Sequence, residues 1–217
     1  MFGGAFEVAH SAVFAILASG RPAGTAFAIS PQGHLATAEH VVQSSHPQPL
    51  VAARTLGGYQ EFPIRIVRVE PSADIAILKI NGVAATCGWL RISAFPASYA
   101  DSVLVLGYPV TYRSVEYAKM GRPMLNLRVN GCVVASDLTV PIPSGGGLDV
   151  FEVDRLFHPG MSGAPVVNLR GEVVGIISHH FFGLNKAQQD LAQAHYTVAI
   201  RAEHLRRIAA ELIGGTS

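Results

Sequence analysis

Phe157-His158-Pro159-Gly160-Met161-Ser162-Gly163-Ala164-Pro165-Val166-Val167 is the stretch whose reading decides the fold. It sets a serine in a Gly-x-Ser-Gly turn. Proline and two β-branched residues follow, which begin a strand and not a helix. Upstream lie Leu35-Ala36-Thr37-Ala38-Glu39-His40-Val41-Val42 and Ser72-Ala73-Asp74-Ile75-Ala76-Ile77-Leu78-Lys79-Ile80. A histidine, an aspartate and a serine thus occur in that order, each in a distinctive local frame. Together they supply a nucleophile, a general base and the carboxylate that orients the base, the set that attack on a carbonyl carbon requires.

Each residue type suits its task. A serine hydroxyl such as that of Ser162 is a weak nucleophile and needs an adjacent base. A histidine such as His40 can be that base, because an imidazole with the ordinary pKa of ~6.5 is mostly neutral at physiological pH. Asp74 would accept a hydrogen bond from the far ring nitrogen and fix the tautomer. The backbone N–H groups of Gly160 and Ser162 would converge on the developing oxyanion, and glycine tolerates the backbone geometry this needs. A rival trio exists. Gly160 to Ala164 nearly matches a nucleophile elbow, with Asp190 and His204 following in the order of that motif. That motif requires a helix directly after the serine, and Pro165-Val166-Val167 opposes one.

The three segments resemble those of the chymotrypsin-fold serine peptidases, and most closely the HtrA/Deg branch. Thr37 to Val42 resembles that family's Thr-x-x-His-Val, and Asp74 to Ile80 its aspartate strand. Gly160 to Pro165 is similar to its Gly-x-Ser-Gly-Gly-Pro, with Ala164 in place of a glycine. The resemblance runs from about Gly24 to about Ile208. It implies an all-β fold of two six-stranded antiparallel β-barrels with a C-terminal α-helix, and a serine endopeptidase. It also implies that Ser178 holds the aspartate, within a Gly175 to His180 strand that pairs with extended substrate. His180 would lie near the wall of the primary pocket, and His179 would face the cleft or solvent. In zymogen-type relatives an aspartate precedes the nucleophile and pairs with a freed N-terminus. Met161 stands there in this chain and cannot form an ion pair.

Composition agrees with a well-packed domain. Of 217 residues, 49% are hydrophobic and 14% charged, enough to bury a sizeable core. Net charge is +1, without a basic run, which argues against nucleic acid or an anionic membrane as partner. No Lys or Arg precedes the first apolar stretch, and Glu7 and His10 interrupt it, so no secretory signal is read there. Cys87 and Cys132 are read as buried thiols in a reducing compartment. A cytoplasmic location is therefore expected. Neither a metal nor another cofactor is expected; the His179-His180 pair lacks a third ligand placed by sequence.

Short apolar or alternating runs recur at residues 12–17, 24–29, 61–69, 75–80, 102–106, 126–135, 150–153, 165–167, 173–177 and 196–200. Strands at this spacing predict an all-β barrel or sandwich. The polar stretch 112–123 places the break between the barrels, giving units 1–115, with His40 and Asp74, and 116–217, with Ser162. Pro141-Ile142-Pro143-Ser144-Gly145-Gly146-Gly147 reads as a mobile loop. Leu205, Ile208, Ala209 and Leu212 follow helical spacing, the only clear helix, which Gly214-Gly215 would stop. Residues 182–195 read equally as a lid over the pocket or as a short surface helix.

Leu156, six residues before the serine, falls at the expected floor of the primary pocket. Leucine there predicts cleavage of protein or peptide substrates after small or medium apolar residues. An acidic preference through His179 or His180 is the next reading, and a basic one through Asp154 the last. Two other functional classes remain: a catalytically silent binding module, and a latent protease whose oxyanion loop an activating partner protein orders.

Overall fold

The structure, a computed structural model, describes residues 2–45, 49–55, 58–81, 88–111, 124–142, 145–178 and 197–213. Six strands close a first barrel: β1 (Val13–Ala18), β2 (Arg21–Ala28), β3 (His34–Ala38), β4 (Leu50–Arg54), β5 (Gln60–Glu70) and β6 (Ile75–Ile80). Six more close a second: β7 (Ser102–Gly107), β8 (Arg128–Pro141), β9 (Gly147–Val153), β10 (Pro165–Val167), β11 (Val173–Ser178) and β12 (Thr197–Arg201). Neighbours run antiparallel in both, in the orders β1-β2-β3-β6-β5-β4 and β10-β11-β12-β9-β8-β7. Closure leaves neither sheet with a free edge strand. The all-β expectation of two six-stranded barrels holds.

Local chemistry sets the corners. Ser19 and Gly20 both have positive φ, 48° and 75°, and join β1 to β2 across the Ala18–Arg21 pair. A two-residue hairpin of this hand matches the twist of its strands. β1 is buried along its whole length. Arg54, also buried, lays its guanidinium over the Phe14 and Phe62 rings at 5.9 and 5.6 Å and bonds Gln60 Oε1. The second barrel has its own core around Val105, Phe151, Val166 and Ile177, and Met161 belongs to it. Cys132 is in the same core as a free thiol; burial, with Asp154 beside it, pushes it up to about 11. Cys87 lies outside the described residues.

Three expectations change. First, β7 pairs with β8 and β10, so the strands of the two barrels separate between Ile80 and Ser102, not at 115/116. The 112–123 stretch itself lies outside the described residues. Second, an N-terminal helix, α1 (Phe2–Ala9), precedes the first barrel yet packs on the second. Phe2 covers Gly131 and Val8 covers Gly171, at distances where a Cβ on either glycine would crowd it. Gly3 and Gly4 weaken its intrinsic helicity, so this packing is what holds it. Third, the two ends of the predicted mobile loop are paired: Pro141 pairs with Gly147, and the Gly145 N–H donates to the Ile142 carbonyl, while residues 143–144 lie outside the described residues.

A short helix, α2 (Glu39–Gln43), follows β3. The C-terminal helix, α3 (Ala202–Ile213), buries Leu205, Ile208 and Ala209 as its spacing predicts, with Leu212 partly buried beside them. Pro165 opens β10, which removes the helix that the rival nucleophile elbow would need.

Candidate active site

β3 ends at Ala38 and delivers His40 into the first turn of α2. There the His40 N–H donates to Asp74 Oδ1 at 2.9 Å, and ring Nδ1 lies 3.0 Å from Oδ1 and 2.8 Å from Oδ2. Asp74 follows a 3₁₀ turn, Pro71–Ala73, and takes the left-handed conformation (φ 47°, ψ 45°). Aspartate tolerates that conformation better than most residues. The Asp74 carbonyl in turn accepts from the Glu39 N–H at 3.1 Å, which ties the aspartate to the start of α2.

Asp74 is 1% exposed. Burial by itself pushes its carboxyl up. The His40 ring hydrogen bond and charge, the Ser178 hydroxyl and the His40 backbone N–H outweigh burial and hold it below the usual carboxylate range. Ser178 Oγ donates to Oδ2 at 2.6 Å. An ionised carboxylate only accepts, so Nδ1 carries the proton in this pair. In the neutral ring Nε2 is then the acceptor, as a general base requires.

The serine turn comes to this pair from the second barrel. The Ser162 carbonyl accepts from the Thr25 N–H at 2.9 Å, and the Gly163 N–H donates to the Ile177 carbonyl at 2.8 Å. Gly163 has φ +82°, and a Cβ there would fall 2.1 Å from the Thr25 carbonyl oxygen and 2.9 Å from the Ala38 nitrogen. The turn therefore lies directly against the end of β3, two residues before His40. Gly163→Ala is expected to destabilise the protein by about 3 kcal/mol or more, from backbone strain and the clash together. Urea unfolding of the variant checks this.

Residues 158–162, the oxyanion segment expected from the sequence, have every carbonyl hydrogen-bonded. The Val110 N–H donates to the Pro159 carbonyl at 2.7 Å. In a trans peptide the N–H opposes the C=O, so the Gly160 N–H points away from Val110. Gly160 has φ +92°, and a Cβ on it would sit 2.6 Å from both the Tyr108 carbonyl oxygen and the Val110 nitrogen. Glycine alone fits there. Met161 is 1% exposed and lies in the core of the second barrel, where a carboxylate without a partner would be costly.

The substrate-side residues divide. Ser178 is buried and engaged by Asp74, so it positions the carboxylate. His179 and His180 lie outside the described residues, as does all of 182–195. Leu156 is half-exposed and lines a cavity of about 270 Å³ with Phe157, His158, Arg155, Arg128 and Met161, beside the oxyanion segment. Asp154 accepts the Val133 N–H at 2.7 Å, which ties its carboxylate to β8. The sequence reading missed Thr25, a fully buried residue whose N–H meets the serine turn and whose hydroxyl meets the oxyanion segment. The one signal was a hydroxyl residue inside the apolar run Gly24-Thr25-Ala26-Phe27-Ala28.

Two closed barrels with this site define a trypsin-like serine protease domain. Residues 24–176 match the trypsin-like peptidase domain, and the chain belongs to that family. The chain is 30% identical over 154 residues to serine protease Rv3671c of Mycobacterium tuberculosis, covering 71% of this chain and 35% of the relative. It is also 30% identical over 159 residues to a Pseudomonas putida protein named "Probable periplasmic serine endoprotease DegP-like", covering 73% and 29%. The crystal structure of the active form of Rv3671c protease superposes with a TM-score of 0.71 at 24% identity, covering 98% of this chain and 85% of that one. The likeness to that structure is one of fold. The chain spans about a third of the length of these two curated relatives.

Proposed function

We propose that this chain is an endopeptidase that works through an acyl-enzyme on Ser162. Ser162 Oγ attacks the scissile carbonyl carbon while His40 Nε2 takes its proton. The Gly160 and Ser162 N–H groups stabilise the oxyanion of the tetrahedral intermediate. Collapse breaks the C–N bond, and His40 gives the proton to the leaving amine. Water then attacks the ester with His40 again as base, which releases the acid and restores Ser162. The observation that carries the reading is the Asp74 carboxylate, held by Ser178 and two His40 contacts so that Nε2 is left to accept.

The bonded oxyanion segment supports activity without a partner over a latent state, because the Pro159 peptide is already oriented by Val110. A fluorophosphonate probe tests both points on the isolated chain. Labelling of native but not heat-denatured protein, at Ser162 by mass spectrometry, is expected. Absence of labelling would favour a silent binding module, and labelling only on addition of host extract a partner-activated enzyme.

The substrate is proposed to be a protein or peptide cut after small or medium apolar residues, on Leu156 at the cavity. A buried substrate cation without a partner is costly, and the Asp154 carboxylate is occupied on β8. The second reading, an acidic side chain, is favoured by Arg128, Arg155 and His158 on the same cavity. A peptide library varied on the acyl side of the scissile bond is expected to give Val, Ala, Leu or Met; enrichment of Glu or Asp would replace this assignment. Cytoplasmic residence stays a proposal resting on the free, buried Cys132 thiol. Fractionation of the host cell tests it, and recovery from the periplasm would overturn it.

A further inference from the structure

We propose that Thr25 is the positioning residue that holds the oxyanion segment in its working geometry, acting across the barrel interface. This rests on the peptidase reading above. Thr25 lies on β2 of the first barrel and is fully buried. Its hydroxyl donates to the Gly160 carbonyl at 2.7 Å and accepts the Tyr108 N–H at 2.9 Å. Its own N–H donates to the Ser162 carbonyl at 2.9 Å, and its carbonyl accepts the Thr37 hydroxyl at 2.7 Å. One residue of the first barrel thus binds the segment at Gly160 and at Ser162.

The need for such a hold follows from Gly160. Tyr108 and Val110 fill the space that a Cβ would need, which excludes any side chain. Glycine, however, rotates through many backbone conformations at little cost, so its own preference cannot keep the N–H aimed. The two peptides flanking it must be fixed from outside. Val110 fixes the one before, through the Pro159 carbonyl. The Thr25 hydroxyl fixes the one after, through the Gly160 carbonyl. Met161 gives the segment apolar packing and no charge to anchor it. A hydroxyl can donate and accept at once, and valine, of the same shape, can do neither. Thr25→Val would leave the Gly160 carbonyl and the Tyr108 N–H buried without that partner.

The donor itself survives in Thr25→Val, so the loss should be smaller than deletion of an oxyanion donor, which costs about 10²–10³ in kcat. We expect kcat to fall about 10- to 100-fold with KM within a few-fold, because the oxyanion exists only in the transition state. Affinity for a peptide aldehyde, whose adduct with Ser162 carries the oxyanion, should fall in parallel. The apparent pKa of the kcat/KM profile should not move, since His40 and Asp74 are untouched. Thr25→Ser keeps the hydroxyl and should restore most of kcat. A folded Thr25→Val protein with unchanged kcat would overturn the proposal. So would a folded Thr25→Ser protein as slow as the valine variant, for then the methyl packing decides. If valine prevents folding, Thr25→Ala carries the same expectation. Should the wild type show no fluorophosphonate labelling, the peptidase reading fails first. A crystal structure of the valine variant then still reads the hold directly: a turned Gly160 carbonyl supports it, and an unmoved segment refutes it.

Discussion

Ser162→Ala will end peptide hydrolysis and fluorophosphonate labelling while leaving the fold intact. Loss of the nucleophile in a Ser-His-Asp constellation costs on the order of 10⁶ in kcat, and what remains comes from substrate binding and the oxyanion donors. The fold should tolerate the change, because the backbone of the turn does the structural work. The Ser162 carbonyl, not its hydroxyl, takes the bond from Thr25, and the neighbouring Gly163 N–H bonds Ile177. Circular dichroism and thermal unfolding confirm that the variant is folded. Ordinary turnover by a folded Ser162→Ala protein would show that another residue is the nucleophile.

Asp74→Asn should cost about 10⁴ in kcat. The carboxylate now accepts from the His40 backbone, the His40 ring and Ser178. An amide nitrogen turned towards the ring would donate to Nδ1 and drive the proton to Nε2, the atom that must accept from Ser162. KM should change little, since Asp74 is buried away from substrate. The same substitution has a signature in acid. Asp74 is held below the usual carboxylate range in the folded protein, so its ionisation stabilises the fold above the unfolded value of ~3.9. That contribution is lost as pH falls through the lower folded value. The stability gap between wild type and Asp74→Asn should therefore be constant near neutrality and shrink below about pH 4. A gap that stays constant down to pH 2 would contradict the depressed carboxyl.

Much of this site is legible in one dimension because its chemistry is written in short frames. The His40 and Asp74 frames are strand ends, and the Ser162 frame is a glycine-bounded turn. Each needs particular residues at particular positions for backbone reasons. Gly160 and Gly163 must be glycine because neighbouring backbone fills the space of a Cβ. Ser178 was nominated by likeness to the family's strand, and its hydroxyl donates to Asp74 Oδ2. The C-terminal helix was legible because its apolar stripe repeats at helical spacing over three turns.

Other features were hidden because their causes lie far away in the chain. The run Ser102–Gly107 reads as the same apolar strand whichever barrel it joins, and only its pairing with β8 and β10 assigns it to the second. Helix α1 is too short and too rich in glycine to announce itself; Gly131 and Gly171, more than a hundred residues on, make the surface on which it forms. Pro141 to Gly147 carries the composition of a loose loop, yet its two ends pair with each other.

By itself the sequence determined the strand-rich architecture and nominated His40, Asp74 and Ser162 as a candidate trio, since alternation, glycine geometry and side-chain chemistry act over a few residues. Only the tertiary structure decided where the barrels divide, that α1 exists, and that a buried threonine bonds the oxyanion segment from the opposite barrel. Those depend on hydrogen bonds and packing between residues that are distant in the chain: Thr25 lies 135 positions from the Gly160 carbonyl it holds, and no local pattern encodes that contact.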